Sequence, residues 1–310
     1  MSNKTIERIA GMTYGIEIEY TGACRGKIAK AIEQELGGTA RYEGRHLDNW
    51  VVTQPDGRKW QVESDASVTG SYDNNGGEVV TPILTLADME TLQKVIRAMR
   101  KAGAKVDGSC GSHVHVGAKD MNARQIQNLV KVFYKQEGLI LKACGVQQRR
   151  LDRYTHRTDR SFIEKIAAMK NPTMEKIGDA FYDGCLSSRY GHYCHARYRT
   201  LNLHNLWQGG KHTVEFRLFE GTLHAGEIRT NILLALTLVA FAKAARNASA
   251  KQREYNEASG KYDLRVFLLR LGWIGDEFKN PRKHMMKRMG GSAAWKDGAA
   301  HGRGTTRAAA

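Results

Sequence analysis

Between Tyr14 and Tyr20 the chain reads Tyr-Gly-Ile-Glu-Ile-Glu-Tyr, with apolar and polar side chains in strict alternation. A period of two predicts a half-buried strand. Ile28, Ile32 and Leu36 then recur at helical spacing, and Gly37-Gly38 ends that helix. Trp50–Thr53 and Lys59–Glu63 flank Pro55-Asp56-Gly57, a hairpin signature. A loop rich in Gly, Asn and Asp leads into a short strand, Glu78-Val-Val-Thr-Pro82, stopped by its proline. Leu86 to Lys101 reads as an amphipathic helix, His113–Val116 as another strand, and Asn122 as the cap of a long helix towards Ala143. Phe162 to Phe181 predicts two helical pieces broken at Pro172, and Thr200–Trp207 and Thr213–Phe219 two strands around Gly209-Gly210. Glu227–Arg246 is a strongly apolar helix expected against the sheet, and Tyr262–Leu271 a further helix. Strands and helices mixed in this way, with hairpins and no internal repeat, predict an α+β protein: an antiparallel sheet covered by helices.

Composition narrows the classes. The 310 residues are 41% hydrophobic, enough to bury a sizeable core in one large domain or two intimate ones. Four prolines and 26% charged residues argue against a largely disordered chain. Met1–Met12 is polar and lacks the apolar stretch of a signal peptide, and the longest apolar run, Ile232–Ala242, is too short to span a bilayer. The expectation is a cytoplasmic protein with no membrane partner. The five cysteines (Cys24, Cys110, Cys144, Cys185 and Cys194) are scattered, odd in number and without a Cys-x-x-Cys pair. They read as reduced thiols, not as a disulfide framework or zinc ribbon. The formal charge is +16, and from Lys243 onward 15 Lys/Arg stand against six Asp/Glu. That excess suggests an anionic partner for a basic C-terminus. It divides the chain into a folded domain, 1–278, and a basic, disordered tail, 279–310, whose last stretch from Gly290 is Ala/Gly-rich.

The polar sides of the strands carry the candidate chemistry. Glu17 and Glu19 share one face of their strand, with Ile16 and Ile18 on the other. Taken alone, the pair fits a solvated edge strand as well as a cation site. His113 and His115 repeat the pattern between Gly111 and Gly117, which leave room for a ligand's close approach. A His-x-His pair alone suits zinc as well as Mg²⁺. In Thr213-Val-Glu-Phe-Arg-Leu-Phe219, Glu215 and Arg217 face one way: a cross-strand salt bridge, or a metal ligand beside a clamp for phosphate or carboxylate. Asp65 and Glu78 bracket the loop Ala66–Gly77. Five carboxylates and one or two imidazoles form a mainly oxygen set, which suits Mg²⁺ or Mn²⁺ and exceeds the needs of one ion.

These segments carry a family resemblance. Gly15-Ile-Glu-Ile-Glu-Tyr20, then Asp65-Ala-Ser67 with Gly77-Glu-Val-Val-Thr-Pro82, Cys110-Gly-Ser-His-Val-His-Val-Gly117, and Tyr198-Arg-Thr-Leu-Asn-Leu203 with Val214-Glu-Phe-Arg217 occur in an order that resembles the amidoligase family. That family is grouped with the glutamine synthetase and glutamate–cysteine ligase-like carboxylate–amine ligases, and the likeness runs from Thr13 to Arg246. It implies a glutamine synthetase-like antiparallel sheet forming a funnel for ATP and metals. Carried over by motif, Glu19, Asp65 and Glu78 would hold one metal and Glu17, His113 and Glu215 a second, with His115 also a candidate for direct ligation. His115 and Asn202 would lie near the nucleotide, with Arg197 and Arg199 as phosphate contacts. Arg217 would face the transferred phosphoryl group. The implied reaction phosphorylates a carboxylate with ATP, lets an amine attack the acyl phosphate, and releases ADP and phosphate. Mobile loops such as Ala66–Gly77 or Ser187–Ala196 would exclude water. The acid would be an amino acid, peptide or protein carboxylate, and the amine a small molecule or side chain.

Two rivals stand beside this reading. One is a metal-dependent hydrolase or nuclease using the same acids and histidines without ATP. The other is a non-catalytic nucleic-acid-binding protein, for which Arg149-Arg150, Arg153, Arg157 and Arg160, or Lys279, Arg282, Lys283, Lys287 and Arg288, would contact phosphates. There is no Walker A, Gly-x-Gly-x-x-Gly or Gly-x-Ser-x-Gly motif, which disfavours P-loop, Rossmann and serine-hydrolase chemistry.

Overall fold

Strict alternation along Tyr14–Thr21 builds the central strand, β1, with Ile16, Ile18 and Tyr20 almost fully buried on one side. The computed structural model describes residues 4–44, 48–183, 189, 191, 194–208 and 210–296. Seven more strands join β1: β2 (Thr39–Gly44), β3 (Asn49–Thr53), β4 (Lys59–Glu63), β5 (Gly76–Val80), β6 (Gly111–Gly117), β7 (Leu201–Asn202) and β8 (Thr213–Glu220). Their order is β2-β3-β4-β5-β1-β6-β8-β7, and every neighbouring pair is antiparallel. Trp60 and Val62, Val79, Val114 and Val116, and Val214 and Phe216 continue the apolar face begun by β1, all at 0% exposure.

Helices cover that face. α2 (Arg25–Leu36) packs on β3 and β4, α8 (Ala225–Ala244) on β6, and α4 (Ala123–Cys144) on β8, while α3 (Met89–Lys101) packs against α2 and α8. α2 ends where Gly37 adopts φ 66°, a left-handed conformation that glycine takes without strain. Asn122 caps α4 through a reciprocal pair: its Oδ1 accepts from Gln125 N, and Gln125 Oε1 accepts from Asn122 N, both at 3.0 Å. α8 is long and apolar enough to cross a membrane by length and composition, but 67% of its apolar window is buried inside the fold, as befits a core helix.

Several expectations change. Of Thr200–Trp207 only Leu201–Asn202 pairs as strand. Asn202 Oδ1 accepts from His204 N at 2.8 Å and turns the chain into a 3₁₀ segment, His204–Leu206. Four elements carried too little pattern to be read: α1 (Lys4–Ala10), the largely exposed edge strand β2, α5 (Gln148–Arg153) and α10 (Lys279–Met286). α10 lies inside the stretch expected to be tail. Phe278 and Met285 are buried there at 0% and 2% exposure, and α10 packs on α8 and on α9 (Gly260–Arg270), so the folded part extends past the expected boundary at 278. Residues 297–310 lie outside the described residues, as does Cys185; Cys24, Cys110, Cys144 and Cys194 are free thiols. α6 (Arg160–Ala168) and α7 (Met174–Phe181) form the expected pair around Pro172.

Candidate active site

The side chains excluded from the core meet on the sheet's other face. Period two turns Glu17 and Glu19 towards it. Pairing register sets their neighbours: Glu17 opposes His113, Glu19 opposes Glu78, and Glu78 opposes Glu63 on β4. Further across, His115 opposes Glu215, and Glu215 opposes Asn202. Asp65 enters from the loop after β4, where its backbone N–H donates to Ser71 Oγ at 3.0 Å.

This arrangement makes two triads. Glu19, Asp65 and Glu78 each offer an oxygen, and the three atoms lie within 4.8 Å of one another; Glu17, His115 and Glu215 do the same with two oxygens and a nitrogen. The first set is all carboxylate, the donor chemistry of a hard cation. The second differs from the expected set of Glu17, His113 and Glu215. His115 lies directly opposite Glu215, whereas His113 faces a bulge: Ser112 pairs with Phe219 but Val114 with Phe216, so Arg217 and Leu218 together oppose His113. His113 instead stands between the triads, its Nδ1 at 2.9 Å from Glu17 Oε2 and its Nε2 at 3.5 Å from Glu19 Oε1. His115 Nε2 is buried and makes no hydrogen bond, although Glu17 Oε1 is 3.1 Å away. A buried imidazole nitrogen unsatisfied beside carboxylates suits a cation ligand.

The two triads have opposite electrostatic character. Burial works to raise the Glu17 carboxyl, but His115 and His113 outweigh it and hold it well below the ordinary range. Burial is likewise overcome at Glu215 by Arg217 and His115, leaving a value of about 2. Burial also works against protonated His115, yet Glu17 and Glu215 raise its pKa. Around the first triad the carboxylates reinforce burial. Glu78 is pushed well above its ordinary value by burial and then by Glu17, Asp65 and Glu19; Glu19 is raised by burial, and Glu63 by burial and Glu17.

Arg217 Nη1 donates to Glu215 Oε1 at 2.6 Å, and its guanidinium lies 5.6 Å from the centre of the Tyr198 ring. Asn202 Nδ2 donates to the other oxygen of Glu215 at 2.7 Å, so Asn202 holds a triad member in place. Arg197 stacks 5.8 Å from the centre of the Tyr198 ring. Arg199 is drawn away to the α6–α7 side: it pairs with Asp159, donates to Phe181 O at 2.8 Å and sits between the Phe162 and Phe181 rings. The face also holds groups whose role the sequence did not suggest. Glu63 extends the acidic row, and the alternation Lys59-Trp-Gln-Val-Glu63 was the signal for it. Arg150 reaches the face from α5, and no periodicity marks it. The loop Ala66–Gly77 is tied down. Arg25 Nη1 donates to Ser71 O and Gly76 O, both at 2.8 Å, while its other nitrogens pair with Asp48. Half of Ser187–Ala196 lies outside the described residues.

A 520 Å³ cavity opens beside the second triad. Glu17 and His115 form one wall, Val80 and Ile83 another, and Lys119 and Lys211 also line it. Gly15 and Gly117 also line it, and Thr13 Oγ1 fills the space over Gly117.

Fold and face together define an α+β protein with a helix-backed antiparallel sheet and one acidic, ligand-accessible surface. The model of a family described as "Putative amidoligase enzyme" matches residues 10–239, and the chain belongs to that family. Membership makes it a ligase of the amide-forming class. No curated protein matches the chain significantly.

Proposed function

We propose that this protein joins a carboxylate to an amine by an ATP-dependent route through an acyl phosphate, releasing ADP and phosphate. The observation that carries the reading is the pair of carboxylate-rich triads on one sheet face, linked by Glu17 and Glu19 on a single strand and bordered by a cavity of 520 Å³. Glu19, Asp65 and Glu78 would hold one Mg²⁺ or Mn²⁺, and Glu17, His115 and Glu215 a second. Bound cations would neutralise charge on the phosphates and on the phosphoryl group in transfer. The cavity suits a nucleotide: Val80, Pro82 and Ile83 offer apolar contact to a base, and Lys119 and Lys211 suit phosphate oxygens. Arg217, fixed by Glu215 and Tyr198, offers a preorganised guanidinium to the transferred group.

The fold also bears on the nucleic-acid rival. Arg149 pairs with Glu220 and Arg150 is 2% exposed, so these two members of the first basic run are not free surface cations. The decisive experiment incubates the protein with labelled ATP, Mg²⁺ and a panel of acid–amine pairs, and identifies the nucleotide product. ADP formed only with a productive pair is expected. AMP and pyrophosphate would refute the phosphoryl route, and cation-dependent hydrolysis of a substrate without nucleotide would replace the ligase reading.

A further inference from the structure

Arg150 is a buried cation with no carboxylate partner. It is 2% exposed, and among the described residues it forms no ion pair. Its nearest partners are backbone oxygens and a ring nitrogen: Nη1 donates to Cys110 O at 3.4 Å, and Nη2 to Arg217 O at 3.1 Å and to His113 Nε2 at 3.4 Å. A guanidinium removed from water is costly unless something anionic answers it. Here Glu19 is held by Gly111 N at 2.6 Å, Glu220 is paired with Arg149, and the Tyr154 ring lies 5.8 Å from the guanidinium, so no carboxylate pairs with it directly.

The position of this cation is specific. Its guanidinium occupies the space directly above Gly111, on the side of β6 that carries His113 and His115; a side chain at Gly111 would overlap it. It therefore lies on the acidic face itself. Arg217 approaches the same imidazole from the other nitrogen, with Nη1 at 3.5 Å from His113 Nδ1. Two buried guanidinia thus flank His113. Each retains a buried Nε–H with no hydrogen-bond partner. Buried donors are seldom left orphaned, so both arginines beside His113 keep donor capacity for a ligand.

We propose that Arg150 and Arg217 form a paired anion clamp around His113, and that Arg150 is an oxyanion-binding residue of this site. Its ligand is an oxyanion with at least two oxygens, one for each fork: the terminal phosphate of the nucleotide or the carboxylate of the acid substrate. The assignment rests on the ligase reading for the source of the anion, but not for the binding itself.

The test therefore measures anion binding. With Mg²⁺ present, inorganic phosphate and L-glutamate are titrated separately into protein labelled with ¹⁵N-arginine, following the Nε–H resonances. Assignment comes from Arg150→Lys and Arg217→Lys. Movement of both buried resonances by phosphate assigns the clamp to the phosphoryl group; movement by glutamate alone assigns it to the acid. Arg150→Gln should weaken binding of the active anion about 10- to 100-fold, the loss expected for a charge-assisted donor, while Mn²⁺ affinity stays near wild type. Should Arg150→Gln fail to fold, the wild-type titration and Arg150→Lys decide. A resonance unmoved by either anion, or anion affinity unchanged in both variants, overturns the proposal and leaves Arg150 as a strut for Cys110 O and Arg217 O. Anion binding without any amide formation would sustain the clamp and sink the ligase.

Discussion

At the scale of single residues, the acidic face is built against its own stability. Glu78 is crowded by Glu17, Asp65 and Glu19 and by burial, all disfavouring its charge. Glu78→Gln keeps the shape and removes the repulsion. It should raise the stability of cation-free protein by about 1 kcal/mol, or roughly 2–4 °C in a melting scan, while calorimetry shows cation affinity of the first triad lost. The pH dependence follows in sign. Glu19, Glu63 and Glu78 are raised, so their contribution to stability is present in acid and lost as pH rises through their folded values. Glu17 and Glu215 are lowered, so theirs is present above the ordinary carboxyl range and lost as pH falls towards the value of about 2 at Glu215. Melting scans without divalent cations should therefore show a maximum in mild acid. Added Mg²⁺ should raise the melting temperature more at pH 8 than at pH 6, because protons and cation compete for the first triad. A Mg²⁺ effect that shrinks with rising pH would contradict cation binding there.

At the scale of elements, the loop carrying Asp65 depends on α2. Arg25 joins Ser71 O and Gly76 O to Asp48, and its backbone N–H donates to Asn74 Oδ1 at 3.0 Å. Arg25→Met would take donors from two carbonyls and a carboxylate, although Ser71 O keeps Asn74 N at 3.2 Å and Asp48 keeps Tyr42, a cost of about 1–3 kcal/mol. Urea titration should record that loss, and Mn²⁺ affinity should drop with it through misplacement of Asp65. A variant that binds Mn²⁺ like wild type would show that the loop orders itself. The elements also show what a sequence can display. Strand faces and the Asn122 cap were legible because alternation and capping are local. The choice between His113 and His115 was not: both share one face by period two, and only the bulge against β8 separates them. Arg199 reads from the sequence as a phosphate contact, yet Asp159 and Phe181 claim it. Arg150 looked like one member of a basic run, since nothing near it in sequence reveals that α5 sets it over Gly111.

At the scale of the whole molecule, the folded part reaches into the basic C-terminal region. Met285 is 2% exposed, and beside it Lys287 and Arg288 both reach Glu227 at the start of α8. Met285→Asp should destabilise the protein by about 2–4 kcal/mol in urea, whereas a solvated tail would tolerate it. The sheet adds a consequence of another kind. Because β1 gives one side to the core and the other to the acidic face, neighbouring positions answer to different selections. Scanned by cellular abundance, substitutions at Ile16, Ile18 and Tyr20 should be strongly depleted, Glu17→Gln only mildly, because His115 and His113 favour its charge, and Glu19→Gln not at all. Scanned by product formation, all five should be depleted. The difference between the two maps, plotted along 16–20, should oscillate with a period of two, so that the direction in which each side chain points could be recovered from growth data alone.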